Sequence, residues 1–251
     1  MTRRRWIADE VCQNTAALTG EHASHLSRVL RAQVGQEFDI ATGDAVRHGT
    51  IISISDDRVE FALGVPLIVK PCAQLTVVLA IFKFDRMEWA IEKCTEIGVA
   101  RIVPLIARRT DAHLAAAAAK RHERWLRLVR QASEQSRRPA PPDISPPIKF
   151  ADLMRAFSPD NLGVHRKLSA SAEAFPRVVL AESEEDRQLR DILPPSASQA
   201  ALAIGPEGGW TDDELHEFRQ SGWASASLGN TILRAETAAI VASALALDVL
   251  R

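Results

Sequence analysis

No apolar run in the 251-residue chain approaches the ~20 residues that a membrane-spanning helix needs, which excludes such a helix. The start, Met1-Thr2-Arg3-Arg4-Arg5-Trp6, is basic with no apolar stretch behind it, so no secretory signal is expected. Cysteine is scarce: Cys12, Cys72 and Cys94 lie far apart and fit neither a disulfide framework nor a metal knuckle. A reducing cytoplasm and no metal are therefore expected. Tyrosine is absent altogether, and nothing physical follows from that. What remains is ordinary: 46% apolar and 25% charged residues exclude a disordered or collagen-like chain. The length suits one large domain or two average ones.

The net charge of −1 conceals segregation. Residues 1–72 carry −1, residues 73–149 carry +6 and residues 150–251 carry −6. A basic middle segment can present a surface to phosphates whatever the total charge is. A set of solvated helix faces is the alternative, and charge alone favours it.

The first 70 residues read as short strands with one helix. His22–Leu30 has helical pattern. Glu37–Ala41, Val46–Ile54 and Val59–Val65 are apolar and β-branched, separated by the turn residues Thr42-Gly43-Asp44 and Ser55-Asp56-Asp57. This spacing predicts a small barrel. Residues 71–74, after Pro66 and around Pro71, read as a linker. From residue 75 strands and helices alternate. Leu75–Phe82, Ile102–Ile106, Val178–Ala181, Ala200–Ile204 and Ala224–Leu228 are strand candidates. Arg86–Ile97, Ala115–Glu134, Thr211–Ser221 and Ala235–Leu250 are helix candidates, with Gly98 as a C-cap. The proline-dense 139–147 cannot be helical. The pattern predicts an α/β domain over 75–251 with a mainly parallel sheet.

Two loops could carry chemistry. In Leu202-Ala203-Ile204-Gly205-Pro206-Glu207-Gly208-Gly209-Trp210 an apolar strand runs into a glycine-rich loop, and Thr211-x-x-Glu214 then supplies a capping box. Carboxyl ends of strands are where open α/β sheets bind ligands. The loop lacks the Gly-Lys-Ser/Thr ending of a phosphate loop and carries Glu207, so a neutral or cationic ligand fits better. A tight turn without ligand is the alternative. The second loop is Leu228-Gly229-Asn230-Thr231-Ile232-Leu233-Arg234-Ala235-Glu236. Glu236 near a helix N-terminus suits the helix dipole; Arg234 does not, so it needs another reason to be there. That reason is either an anion to stabilise or a neighbouring carboxylate to pair with.

These two loops, together with Lys83-x-x-Arg86-Met87-Glu88-Trp89, Lys93-x-x-Glu96-Ile97-Gly98-Val99 and Glu134-Gln135-Ser136-Arg137-Arg138 before a proline, closely resemble the ribosomal RNA small-subunit methyltransferase E family. Arg28-Val29-Leu30-Arg31 resembles that family's RNA-binding PUA-like barrel. The resemblance covers nearly the whole chain. It implies a SPOUT-class methyltransferase, an α/β fold with a C-terminal trefoil knot over 75–251, preceded by a PUA-like RNA-binding β-barrel over 1–70. It also implies a homodimer that uses S-adenosylmethionine to methylate N3 of one uridine in 16S rRNA of the small ribosomal subunit, in the cytoplasm.

The cofactor contacts implied are Ile204, Gly205, Pro206, Glu207, Gly208, Gly209, Leu228, Gly229, Ile232, Leu233 and Arg234. Uridine N3 carries an imide proton and is a poor nucleophile until it leaves. Arg234 is the candidate to stabilise charge developing on O2 and O4, and Glu236 a weaker candidate base; water is the alternative acceptor. For RNA the candidates are Arg28, Arg31, Lys83, Lys93, Arg109, Arg137 and Arg138, since phosphate contacts supply most of the affinity. Arg3, Arg4 and Arg5 could form a phosphate-binding arm. Among the tryptophans, Trp210 is the candidate wall of the site, whereas Trp89 and Trp125 sit in helical patterns and read as packing. Cys94 reads as core rather than nucleophile.

Overall fold

The computed structural model describes residues 5–43, 45–68, 73–157 and 176–250. The candidate arm residues Arg3 and Arg4, residues 71 and 72 of the linker, and the polar stretch 159–175 lie outside them. The chain forms two compact units: 1–71 with 130–141, and 72–129 with 142–251.

In the first unit, β1 (Arg5–Ile7), β2 (Glu10–Cys12) and β3 (Thr15–Thr19) precede α1 (Gly20–Ser24), which continues as a π-helical turn over His25–Val29. Then come β4 (Glu37–Ala41), β5 (Val46–Ile54) and β6 (Arg58–Leu67). The sheet order is β1-β4-β5-β6-β3-β2, with β1 parallel to β4 and the other pairs antiparallel. Between β1 and β2 the chain touches both flanks: Ala8 N–H donates to Ala41 and Asp9 N–H to Ala17. The sheet therefore curls around a core containing Trp6, Leu18, Leu26, Ile40, Val59 and Phe61. Arg5 is the first residue of β1 and donates to the Arg137 carbonyl, so it belongs to the sheet rather than to an arm. Trp6 is buried edge-on to His25, which removes it as a base-stacking surface.

The second unit opens with β7 (Gln74–Ala80), α2 (Phe84–Ile97), β8 (Arg101–Ile106) and α3 (Ala112–Gln135). Two-residue strands β9 (Asp143–Ile144) and β10 (Ile148–Lys149) and the helix α4 (Phe150–Ala156) follow. Next are β11 (Arg177–Leu180), α5 (Leu189–Ile192), β12 (Gln199–Ile204), α6 (Asp212–Gln220), β13 (Ala224–Ala226) and α7 (Ala235–Val249). Among the described residues every pairing in this unit is parallel, in the order β10-β8-β7-β12-β11-β13, with β9 beside β8. Alternate residues of the strands face opposite ways. Leu75, Val77, Leu79, Leu202 and Ile204 pack under α2, α3 and α7. Val78, Ala80, Val103, Ala201 and Ala203 pack against Phe150, Phe218 and Trp223 on the other side. Burial of both faces explains the continuous apolar runs and gives a three-layer α/β/α arrangement.

Cys94 lies inside the first of these cores, where burial pushes its thiol up to about 11 against the opposing pull of the Ser243 hydroxyl. It is packing, as its helical face suggests. Gly98 closes α2 in the left-handed region (φ 117°), where glycine is favoured. Residues 130–141, read from the sequence as part of the α/β domain, group with the first unit. Arg130 at the end of α3 explains why: its guanidinium pairs with Asp9 at 2.7 Å and donates to the Ile7 carbonyl.

A candidate cofactor cavity at the strand ends

A cavity of about 870 Å³ opens at the carboxyl ends of β11, β12 and β13. This is the edge where parallel α/β sheets bind ligands. Both sequence loops meet there. Ile204, Gly205, Pro206, Glu207, Gly208 and Gly209 line one side; Leu228, Gly229, Ile232, Leu233, Arg234 and Glu236 line the other.

The glycine loop folds tightly against a tryptophan. Gly209 N–H donates to the Pro206 carbonyl at 2.8 Å. The Trp210 indole N–H donates to the Leu180 carbonyl at 3.0 Å. A Cβ on Gly205 would lie 3.2 Å from that indole nitrogen, so only glycine seats the ring without displacement. Trp210 thus lines the cavity while its ring packs on Phe150 and Phe218. The capping box read from Thr211 and Glu214 is present, and it fixes where α6 starts.

The second loop ends in Arg234, the N-cap of α7, whose side chain caps nothing. Arg234 makes no ion pair among the described residues, so the carboxylate partner that would have explained it structurally is not there. The cation that faces carboxylates is Arg86, from the start of α2: its Nη1 lies 3.6 Å from Glu207 and 3.7 Å from Glu236. Glu236 is 6% exposed, and its Oε2 is buried with no hydrogen-bond partner. A carboxylate oxygen left so is costly unless a ligand completes it. Lys83, Arg86, Arg109 and Arg234 against Glu182, Glu184, Glu185, Glu207, Asp212 and Glu236 leave the lining with an excess of two carboxylates. A polyphosphate would be repelled here, whereas a cationic ligand restores balance.

The RNA candidates separate. Lys83 and Arg109 line the cavity. Arg28, Arg31, Arg137 and Arg138 belong to the first unit. Lys93 lies between Glu92 at 2.7 Å and Glu96 at 2.8 Å, so its charge is compensated and it offers no free cation. Glu88 likewise takes Arg121 and Arg124, and Asp213 and Glu217 take Arg108. Those pairs of Lys93 and Glu88 lie within the middle segment and leave its +6 as it is, whereas Arg86, Arg108 and Arg130 pair with carboxylates outside it. Arg109 donates to the carbonyls of Gly208 and Trp210, which ties it to the glycine loop rather than to an outer phosphate. Trp125 is buried against Phe84, as packing, while Trp89 is half exposed.

Sequence reasoning missed the wall formed by Ala181 to Glu185, which carries no motif, and the placement of Arg86, which was visible only as part of Lys83-x-x-Arg86. Among the described residues no cluster of His, Cys, Asp and Glu could hold a metal, and no helix is long and apolar enough to cross a membrane.

Comparison with known proteins defines the class first: residues 69–247 match the model of the RNA methyltransferase domain. A ribosomal RNA small subunit methyltransferase E from Synechocystis is 32% identical over 94% of this chain and 74% of its own length. The solved ribosomal RNA small subunit methyltransferase E from Neisseria gonorrhoeae, bound to S-adenosyl methionine, is 25% identical with a TM-score of 0.80, covering 97% of this chain and 96% of that one. A methyltransferase from Legionella pneumophila, solved with the bound cofactor SAM, is 28% identical with a TM-score of 0.79 over 97% and 96% of the two chains. The chain belongs to the ribosomal RNA small subunit methyltransferase E family, and it is an RNA methyltransferase with that α/β fold.

Proposed function

We propose that the protein transfers a methyl group from S-adenosylmethionine to N3 of one uridine in 16S rRNA of the small ribosomal subunit, in the cytoplasm. The observation that carries the reading is the cavity where the two loops meet, acidic on balance and holding the unpartnered Glu236 Oε2. Its residues fit this cofactor. S-adenosylmethionine is a net cation without phosphate, and the lining has carboxylates in excess. Ile204 to Gly209 would hold it from one side, and Leu228, Gly229, Ile232, Leu233 and Arg234 from the other. When bound, it supplies an electrophilic methyl group on a sulfonium leaving group.

The chain's own part is orientation and charge. Arg234, unpaired and lining the cavity, would donate to the uracil oxygens as the imide proton leaves, as an oxyanion donor does. Glu236 would accept that proton, with Arg86 positioning its carboxylate from 3.7 Å. Enclosure by the two loops holds nucleophile and methyl in line. In the same reading the curled sheet of the first unit is a PUA-like RNA-binding barrel, in which Arg28, Arg31, Arg137 and Arg138 meet the RNA backbone. The second unit's C-terminal part forms a trefoil knot, and the chain works as a homodimer.

The test is methyl transfer from labelled S-adenosylmethionine to unmodified small subunits, followed by nucleoside mass spectrometry. 3-Methyluridine supports the proposal. Another methylated nucleoside keeps the RNA methyltransferase and sinks the uridine assignment.

A further inference from the structure

We propose that Arg109 is a positioning residue for the glycine loop: from the end of β8 it fixes the peptide planes that form one wall of the cofactor cavity. The inference rests on the reading of that cavity as the S-adenosylmethionine site.

The geometry begins with the peptide bond. In a trans peptide the C=O and N–H point in opposite directions, so holding both edges fixes the plane. The plane joining Gly208 and Gly209 is held at its oxygen by Arg109 Nη1, 2.8 Å away, and at its N–H by the Pro206 carbonyl, also 2.8 Å away. The plane joining Trp210 and Thr211 is held at its oxygen by the same Nη1 at 3.1 Å. Its N–H donates to Glu214 Oε2 at 2.9 Å. One guanidinium nitrogen therefore sets two peptide planes within four residues. Both residues it holds line the cavity.

Arg109 is itself held. The neighbouring Arg108 backbone N–H donates to Glu214 Oε1 at 2.8 Å. Glu214 is fully buried and also receives the Thr211 hydroxyl at 3.0 Å. The Arg108 guanidinium meets Asp213 and Glu217 on α6 at 2.6 Å each. The segment 107–110 closes on itself through the Thr110 hydroxyl, which accepts from Ala107 N–H at 3.0 Å. Glu214 thus ends one side of the glycine loop through its capping box and anchors, with its other oxygen, the residue next to Arg109. The side chain and its target are fixed to one carboxylate.

Charge makes the inference separable from a plain electrostatic one. Arg109 has carbonyls for partners and no ion pair among the described residues. Its cation therefore adds to the potential of a cavity proposed to take a cationic ligand. If Arg109 acted only through its charge, its removal would tighten the binding of S-adenosylmethionine. If it acts by holding the loop, removal weakens binding, because the wall must be ordered at the moment of binding.

The experiment titrates S-adenosylmethionine into the full chain and the Arg109→Ala variant by calorimetry, with steady-state kinetics on unmodified small subunits. The expected result is a dissociation constant and a cofactor KM raised roughly tenfold in the variant, with kcat at saturating cofactor preserved. The affinity for small subunits and its salt dependence stay as in the wild type. Arg109→Lys falls between, since one ammonium cannot hold both carbonyls in the same way; it also serves if the alanine variant folds poorly. Unchanged or tighter cofactor binding by a folded variant overturns the proposal. So does a loss confined to subunit affinity with a flatter salt dependence, which would make Arg109 the RNA contact expected from the sequence. A wild-type chain with no affinity for S-adenosylmethionine would overturn the cofactor reading as well, and that result is distinct from the others.

Discussion

Arg234 sits where a helix dipole repels a cation, caps nothing and pairs with nothing among the described residues. The proposed function explains a residue so placed by the charge it would meet on the uracil oxygens. Arg234→Ala is expected to leave the thermal unfolding temperature unchanged and to cut kcat by a factor of about 10²–10³, the cost of one lost oxyanion donor. Full turnover by a folded variant would remove Arg234 from the chemistry. Two other arginines carry backbone strain. Arg31 (φ 52°) and Arg137 (φ 59°) occupy the left-handed region, each just past the end of a helix. Glycine is preferred there, and an L side chain costs roughly 1 kcal/mol. Arg137→Gly should therefore raise the unfolding temperature by about 2–4 °C. An equal or lower temperature would mean that the Arg137 side chain holds the fold. The oddity of Arg234 was legible in the sequence, because it follows from one residue and its helix. The burial of Glu236 was not: it depends on Arg86, about 150 residues away in the chain.

At the scale of elements, the periodic segments were legible, as were the short apolar strands β11 and β13, whereas the opening strands were not. β4, β5 and the bounds of α2, α3, α6 and α7 were readable to within a few residues, since each repeats its period several times. β1, β2 and β3 were missed. Arg5–Ile7 and Glu10–Cys12 are too short to show alternation, and Thr15–Thr19 buries three consecutive residues. These strands matter because the turn after β1 carries Asp9, the point where α1 and the end of α3 meet. Asp9 accepts from His22 at 3.2 Å, from Thr19 N–H at 2.9 Å and from Arg130. Burial pushes the Asp9 carboxyl up, but those donors outweigh it and leave it below its usual value of 3.8. The Asp9 hydrogen bond raises His22 above its usual 6.5, against burial and the Arg130 charge, with Glu134 adding to the rise. A raised histidine stabilises the fold fully below its unfolded value, and that contribution is lost as pH rises through the higher folded value. A lowered carboxylate does the reverse, losing its contribution as pH falls below 3.8 toward its folded value. The unfolding temperature of the wild type should thus drop from pH 6 to pH 8 by more than that of His22→Asn. Parallel curves over that range would show that His22 contributes nothing through its proton.

At the scale of the molecule, the sequence divides into a strand-rich first part and an alternating second part, and two units are observed. The return of 130–141 to the first unit was hidden. Nothing local in the end of a long helix and a proline-rich connector states which sheet they will cover; that takes the pairing of Arg130 with Asp9 across 121 positions. This return also brings Arg137 and Arg138 into the unit that holds Arg28 and Arg31. Arg137→Ala combined with Arg138→Ala should weaken binding to unmodified small subunits and flatten its salt dependence, while cofactor affinity is spared. An unchanged affinity and slope would place the RNA surface elsewhere.

The discontinuous first unit has a consequence for the order in which the chain becomes structured during synthesis. Its opening stretch ends at residue 71, and its last piece ends at residue 141. At ~5–20 residues per second, the ribosome needs on the order of 3–12 s to make the intervening residues 72–129. Through that interval Asp9 waits for Arg130, and β7, α2 and β8 emerge in the meantime. The N-terminal unit is thus the first to be started, but it closes only after residues 72–129 of the other unit have been made.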